Sequence, residues 1–171
     1  MKLKRLINYL FENIEEAMKD GPPPGYIVEA IDSEDGYLTV RIVNAEDEED
    51  VIGQIEASVI KTEFGNIWEM QSVSAQSGYG PLLYDIMIEL AGPGDYMGDI
   101  GLMPDRRSVS ESAHNVWKTY YKQRSDVEHD PLPNEWYENT SYPVYLKQVY
   151  YKVAGTPVID RLIAKHIFNF I

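Results

Sequence analysis

Two glycines stand immediately before a predicted helix, and the backbone of such a turn can bind an anion. Gly78 and Gly80 follow a strand-like segment, Pro81 occupies a first-turn position, and a helical apolar stripe runs from Leu82 to Leu90. The N–H groups at a helix N-terminus carry about half an elementary positive charge from the aligned peptide dipoles. Glycine also removes the side chains that would keep a pyrophosphate away from these amides. The pattern predicts either an anion site or an ordinary turn.

Other residue types restrict the chemistry that this chain can perform. It has no cysteine, so thiol nucleophiles, zinc–thiolate sites and disulfides are excluded. His114, His129 and His166 lie far apart without a carboxylate at metal-ligand spacing, so no metal site is predicted. The Asp-Arg-Arg run at 105–107 follows a short apolar strand. Its arginines are predicted to contact an anionic group or to pair within the loop.

Length and charge indicate one acidic domain. The 171 residues fit a single domain, 1–171, with its own core. Polar residues interrupt every apolar run in the first twenty residues, so neither a signal peptide nor a membrane span is expected there. The net charge of -13 disfavours direct contact with nucleic acid and favours basic or polyamine-like acceptors.

The spacing of apolar residues and the positions of turn-forming residues predict the strands and helices that would position these side chains. Strands are predicted at 26–31, 37–43, 51–62, 67–74, 100–103 and 144–153, with loops at 46–50 and 125–142. Helices are predicted from Leu3 to Ala17 with a Gly-Pro stop by residue 24, from Pro81 to Leu90, after a Ser108–Glu111 capping box, and from Thr156 onward. The inner face of the last helix is predicted to contain four residues: Val158, Leu162, Ile163 and Ile167.

In this setting, part of the chain resembles a known superfamily. Residues 67–84, IWEMQSVSAQSGYGPLLY, look like the fourth strand, pyrophosphate turn and following helix of GNAT acyltransferases. Residues 102–110, LMPDRRSVS, with 113–117 and 126–127, are similar to that fold's fifth strand and fourth helix. The resemblance covers 51–127 well, and in more detail it is to GNAT-like proteins of tailed bacteriophages. It implies an α/β (α+β) fold with a mixed, mostly antiparallel twisted sheet flanked by an N-terminal amphipathic helix and a C-terminal helix.

The resemblance also implies a cofactor and site residues. Acetyl-CoA or another acyl-CoA, without a metal, would lie where the fourth and fifth strands splay. Glu69 would be the general base, unless it is an exposed strand carboxylate, and Tyr120 or Tyr121 would be the general acid, unless both pack in the core or groove. A backbone N–H near Val73 would polarise the thioester oxygen. The implied cofactor-binding residues are Val73, Ser74, Gln76, Ser77, Gly78, Tyr79, Gly80 and Leu82.

Three positions depart from the family pattern and keep two functions open. Ala75 stands where the signature has Gln or Arg, Ser77 where Arg or Lys is common, and Trp117 where many members have a tyrosine acid. Tryptophan has no transferable proton at neutral pH. The first hypothesis is an N-acyltransferase acting on a small amine or a protein amine. The second is a catalytically inactive GNAT-like phage binding or virion structural protein.

The expected partners follow from these hypotheses. They are acyl-CoA, an unidentified amine or protein acceptor, and a homodimer or virion-protein contact through an amphipathic surface provided by the thirteen tyrosines. No membrane partner is expected. The predicted location is cytoplasmic, in the host cytoplasm if the chain is phage-encoded, or in the virion.

Overall fold

The computed structural model describes residues 21–94, 96–137, 141–153 and 155–171 of the protein. Within these ranges the strands are β1 (Tyr26–Asp32), β2 (Tyr37–Asn44), β3 (Asp47–Thr62), β4 (Gly65–Ala75), β5 (Gly101–Met103), β6 (Val127–Pro131), β7 (Gln148–Lys152) and β8 (Phe168–Phe170). The helices are α1 (Gly80–Ala91), α2 (Glu111–Lys122) and α3 (Pro157–Ala164), with short 3₁₀ turns at Asn134–Trp136 and Val144–Leu146. The predicted mixed α+β class is confirmed. The helix predicted from Leu3 to Ala17 lies outside the described residues.

The strands of the described ranges form one sheet in the order β6-β7-β5-β4-β3-β2-β1-β8. Strands β1 to β4 are an antiparallel meander, as the alternation and turns predict. Strand β5 pairs with β4 in parallel, and β7 lies antiparallel between β5 and β6. Because β8 pairs in parallel with β1, the C-terminal segment closes the opposite edge of the sheet.

Helix α1 lies in the centre of the core. Ten of its residues, Leu82 to Ala91, are buried. They pack with α2, α3 and one face of the sheet in a continuous apolar cluster that includes Ile55, Leu102 and Trp117. Burial of apolar surface on this scale is the main favourable term in folding. None of the helices in the described ranges is both long enough and apolar enough to cross a bilayer.

Gly101 is required where β5 meets β7. Its φ is 155°, and a Cβ at this position would overlap the carbonyl oxygen of Tyr150. Leu102 and Tyr150 form the single bridge between the two strands, so the close approach of β7 depends on the glycine. This contact fixes β5 next to the place where β4 and β5 part.

Several predicted boundaries are wrong, and each has a local cause. The acidic run at 46–50 was predicted as a loop, but β3 begins at Asp47, because hairpin pairing satisfies its backbone while most of the carboxylates remain exposed. The predicted loop 125–142 contains β6, a charged strand that among the described strands pairs with β7 alone, and charges are common on edge strands. The predicted strand 144–153 is regular only from Gln148, because Val144–Leu146 forms a 3₁₀ turn.

The helix boundaries also differ from the prediction. Helix α2 is capped by Ser110, whose Oγ accepts a hydrogen bond from the Ala113 N–H at 3.3 Å. Ser108 is not the cap, because the helix begins at Glu111 and Ser108 lies two residues before the capping residue, in the turn where its N–H bonds to Asp105 Oδ1. Ile163 is 44% exposed rather than inward.

The end of the chain differs as well. Helix α3 ends at Ala164, before Ile167, and the strand β8 that follows it was not predicted. Ile167 is partly buried against the main core from outside the helix.

Candidate functional site

Strands β4 and β5 pair over three residues and then part. The pairs are Ile67 with Gly101, Trp68 with Leu102 and Glu69 with Met103. Beyond Glu69, β4 continues to Ala75, and among the described strands its only hydrogen-bonded neighbour there is β3. The other edge of β4 therefore presents backbone N–H and C=O groups to the space between the strands.

A bulge in β4 lies at this point of divergence. Opposite β3, Glu56 pairs with Ser72 and Ala57 pairs with Met70, so Gln71 is an extra residue. A bulge bends its strand and increases the local twist. The Gln71 side chain is held by a 2.9 Å hydrogen bond from Nε2 to Ser58 Oγ. This bend moves the end of β4 away from β5.

A cavity of about 260 Å³ occupies the space between the parted strands. One wall is β4 from Met70 to Val73, and the other is the loop after β5 with the first turns of α2. Tyr84 of α1 and Trp117 of α2 lie at its inner end and are 3% and 1% exposed. Of the predicted site residues, Val73 lines this cavity.

The glycine turn follows the end of β4, beyond Val73, which is the last β4 residue that lines the cavity. Two of its N–H groups are used within the fold, Gln76 N–H by the Ile52 carbonyl at 2.8 Å and Tyr79 N–H by the Gln76 carbonyl at 3.2 Å. The N–H groups of Gly80 and Leu82 belong to the first turn of α1, where no intrahelical acceptor exists. The Tyr79 side chain makes no capping hydrogen bond, and neither N–H group has a backbone acceptor among the residues that the structure describes.

The two glycines of this turn have different reasons to be glycine. Gly78 has φ +96°, a backbone conformation that side chains with a Cβ rarely adopt. Gly80 has an ordinary φ, and a Cβ built on it meets nothing within 4 Å. Neither backbone strain nor packing therefore requires glycine at position 80. The open space in front of it is what an approaching anion would need.

The other implied cofactor-binding residues fall into two groups. Ser77 is exposed in the turn, while the Leu82 side chain is fully buried, so Leu82 offers only its backbone. Ser74 and Gln76 line a separate recess of about 480 Å³ between the ends of β3 and β4. The structure thus separates them from the Val73 side of the strand.

Glu69 is buried and paired with Arg106. Its Oε1 accepts hydrogen bonds from the Arg106 backbone N–H at 3.0 Å and from Nε at 2.8 Å, and its Oε2 accepts one from Nη2 at 3.0 Å. The Glu69 side chain is 8% exposed, so it is not an exposed strand carboxylate. The pair fixes the loop after β5, which forms one cavity wall. Glu69 itself does not line the cavity.

The two predicted acid tyrosines lie away from the cavity lining. Tyr120 is buried and donates its hydroxyl to Asp85 Oδ1 at 2.7 Å. Burial, with Asp85 beside it, raises the pKa of Tyr120 well above its ordinary value, so the hydroxyl keeps its proton. Tyr121 stacks on His129 with ring centroids 4.4 Å apart. Glu69, Tyr120 and Tyr121 are therefore not brought together at one point.

An ion cluster with buried Asp85, Glu89 and Lys152 side chains joins α1 to the segment after α2, to the start of α3 and to β7. Arg124 forms a bidentate pair with Asp85 at 3.1 and 3.0 Å and also bonds Asp126. Lys152 lies between Asp85, Glu89 and Asp126. The Glu89 carboxylate accepts the N–H groups of residues 158 and 159 and so caps α3 from another helix. Asp85 of this cluster also accepts the Tyr120 hydroxyl, and the Tyr120 ring contacts Trp117, which lines the cavity.

The sequence did not reveal that Glu69 pairs with Arg106 or that Tyr84 lines the cavity. Arg106 was predicted to bind an anion or to pair in its loop, and it pairs with a strand residue 37 positions earlier. Among the described residues, no three His, Asp or Glu side chains are grouped to hold a metal ion. No protein-family model and no curated protein matches this sequence.

Proposed function

We propose that the protein binds an acyl-coenzyme A thioester between β4 and β5 and is an N-acyltransferase of the GNAT type. The observation that carries this proposal is the parting of β4 and β5 after Glu69, with a cavity in the gap and a glycine turn between the end of β4 and the start of α1. The pyrophosphate would bind the N–H groups of Gly80 and Leu82, because within the described part of the chain these donors have no backbone acceptor. The pantetheine arm would run along the unpaired edge of β4.

The chemistry of the proposed transfer is simple to state. An acceptor amine attacks the thioester carbonyl carbon, the C–S bond breaks, and the coenzyme leaves as a thiolate that takes up the proton lost by the amine. The unpaired N–H groups of β4 beyond Glu69 are suited to stabilise the negative charge on the thioester oxygen. Positioning of the two reactants supplies the remaining rate enhancement.

A second candidate is a module that binds the thioester without transferring its acyl group. It is favoured by the engagement of the three predicted catalytic side chains, since Glu69 is paired with Arg106, Tyr120 with Asp85 and Tyr121 with His129. It is also favoured by Trp117, which has no proton to transfer. In this form the chain would be a phage binding or virion structural protein.

Binding is tested by isothermal titration of coenzyme A and acetyl-CoA against wild type and a Gly80→Ala variant. The new Cβ meets no atom of the described residues within 4 Å, so the variant should fold normally, while its methyl group narrows the approach to the turn. We expect binding weakened by tenfold or more. Gly94→Ala is the matched control, because its Cβ makes only an ordinary contact with Thr156. Absence of coenzyme A binding to wild type at millimolar concentration would contradict the proposal.

Transfer is tested separately by release of the free thiol of coenzyme A. Because the chain has no cysteine, a thiol reagent detects the product without background from the protein. Acetyl-CoA with a panel of polyamines, lysine peptides and small primary amines should release thiol only when an acceptor is present. Tight coenzyme A binding with no release for any amine would support the second candidate.

A further inference from the structure

An exposed apolar patch lies at the edge of the sheet that β8 forms. Phe170 of β8 and Ile171 directly after it are 49% and 61% exposed, and Ile163 of α3, the helix that packs on β8, is 44% exposed. The Tyr96 ring stacks on Phe170 with centroids 6.3 Å apart. These four residues are called the β8 patch. Exposed apolar side chains that lie together mark a contact surface, whereas scattered single ones need no explanation.

The two outer strands of the described sheet differ in how they are protected. Strand β6 contains Glu128 and Asp130, and charges of this kind discourage another strand from pairing with an edge. Strand β8 pairs with β1 on one side, is last in the strand order at its end of the sheet, and has the uncharged sequence Phe-Asn-Phe. An edge strand without charges is usually covered by another part of the structure.

The described part of the chain begins beside this patch. Gly21 is buried, and a Cβ built on it would lie 2.9 Å from Leu162 Cδ2 in α3 and 3.4 Å from Ile167 Cδ1 just before β8. As an α-helix, residues 3–17 would be about 22 Å long at 1.5 Å per residue. The extended chain from Ile167 to Ile171 covers only about 13 Å at 3.3 Å per residue. The segment before Gly21 is therefore long enough to reach over the whole patch.

We infer that residues 1–20 of this chain, which lie outside the described residues, cover the β8 patch and the free edge beside it. Their sequence places six apolar residues at helical spacing: Leu3, Leu6, Ile7, Leu10, Ile14 and Ala17. An amphipathic helix of this length is stabilised chiefly by packing its apolar face on a partner surface. The β8 patch offers such a surface at the point where the segment is attached. This inference is independent of coenzyme A binding and of acyl transfer.

A nitroxide label on the full chain tests where the segment lies, because a nitroxide broadens the amide signals near it. Since the chain has no cysteine, Ala164→Cys places a single label beside the patch, at an exposed residue at the end of α3. We expect the amide signals of residues 3–17 to lose most of their intensity. Glu128→Cys is the matched control, because it places the label on β6 at the opposite end of the sheet, and it should leave these signals unchanged.

A mixture of two samples identifies the chain that supplies the cover. A ¹⁵N-labelled chain without nitroxide is mixed with an unlabelled chain that carries the nitroxide at Ala164→Cys. We expect no broadening of residues 3–17 in this mixture. Broadening there would show that the segment covers a second copy and would overturn the inference. Unbroadened signals of residues 3–17 in the singly labelled chain itself would overturn it as well.

A charge placed in the patch gives an independent readout. Phe170→Asp should release the segment, so the amides of residues 3–17 should exchange with solvent faster than in wild type. Phe64→Asp is the matched control, because Phe64 is 84% exposed between β3 and β4, and the exchange rates should equal those of wild type. Equal exchange rates in Phe170→Asp and wild type would contradict the inference. The nitroxide experiment does not depend on the stability of Phe170→Asp.

Discussion

Replacing Lys152 with methionine is expected to destabilise the fold by about 3 kcal/mol. Its Nζ lies 3.5 Å from Asp85 Oδ2, 3.4 Å from Glu89 Oε1 and 2.9 Å from Asp126 Oδ2. The Lys152 side chain is 4% exposed, and the side chains of Asp85 and Glu89 are 1% and 0% exposed. Methionine keeps most of the apolar stem but removes the charge that these carboxylates share.

The size of the expected loss in the free energy of unfolding follows from the contacts that Asp85 and Glu89 keep when Lys152 is replaced. At such distances and an effective dielectric constant near 20, one ion pair contributes about 5 kcal/mol before desolvation, and loss of one buried partner costs about 3 to 5 kcal/mol. Asp85 keeps its bidentate pair with Arg124, and Glu89 keeps two backbone N–H donors of α3. These remaining contacts place the expected loss at the lower end of the range.

Urea denaturation followed by circular dichroism measures the loss. Lys118→Met is the matched control, because Lys118 is exposed on α2, and it should change the free energy of unfolding by no more than about 0.5 kcal/mol. Adding Glu89→Gln to Lys152→Met should recover part of the stability, since it removes an unpaired buried charge. If Lys152→Met lowers the free energy of unfolding no more than the Lys118→Met control does, Lys152 does not stabilise the fold through these carboxylates.

Three further predictions address the site and its support. Glu69→Gln and Arg106→Gln should weaken coenzyme A binding to a similar extent if their ion pair holds the cavity wall, whereas a larger loss of turnover in Glu69→Gln alone would show that Glu69 is the base. Gly101→Ala should lower the free energy of unfolding by about 2 kcal/mol or more in urea titrations, because φ is positive and β7 blocks the methyl group; an unchanged midpoint would argue against this. Hydrogen bonds from Arg124 and Lys152 hold the pKa of Asp126 below its ordinary value of 3.8. Its stabilising contribution is therefore complete above that value and is lost as the pH falls toward the lower folded pKa, so Asp126→Asn should flatten the acid limb of the stability profile between pH 5 and about 2.

The sheet could be predicted from sequence where strands alternate and turns have clear residues. Strands β1 to β4 and β5, and the start of α1 at the glycine turn, follow from local patterns that tertiary packing did not overrule. Strand β6 could not be found this way, because Glu128 and Asp130 give it the composition of a loop. Its strand structure comes from pairing with β7, which is distant in the chain.

The candidate site could also be predicted only where it depends on a local sequence pattern. The turn at Gly78 and Gly80 is a local feature, so its position at the start of α1 was readable. The directions of Glu69 and Tyr120 depend on Arg106 and Asp85, which lie 37 and 35 positions away. No local pattern encodes such distant partners. The direction of each buried side chain is set by the hydrogen bond that it makes with its partner.

Coenzyme A binding at the glycine turn and along β4 is tested most directly by an amide chemical-shift titration of the ¹⁵N-labelled protein with coenzyme A. We expect the largest shifts at the N–H groups of Gly78, Gly80 and Leu82 and along β4 from Met70 to Val73. The same titration with pantetheine, which lacks the pyrophosphate, should shift the β4 amides but not those of the turn. Saturable binding that leaves the turn amides unshifted while perturbing another surface would contradict the proposed site.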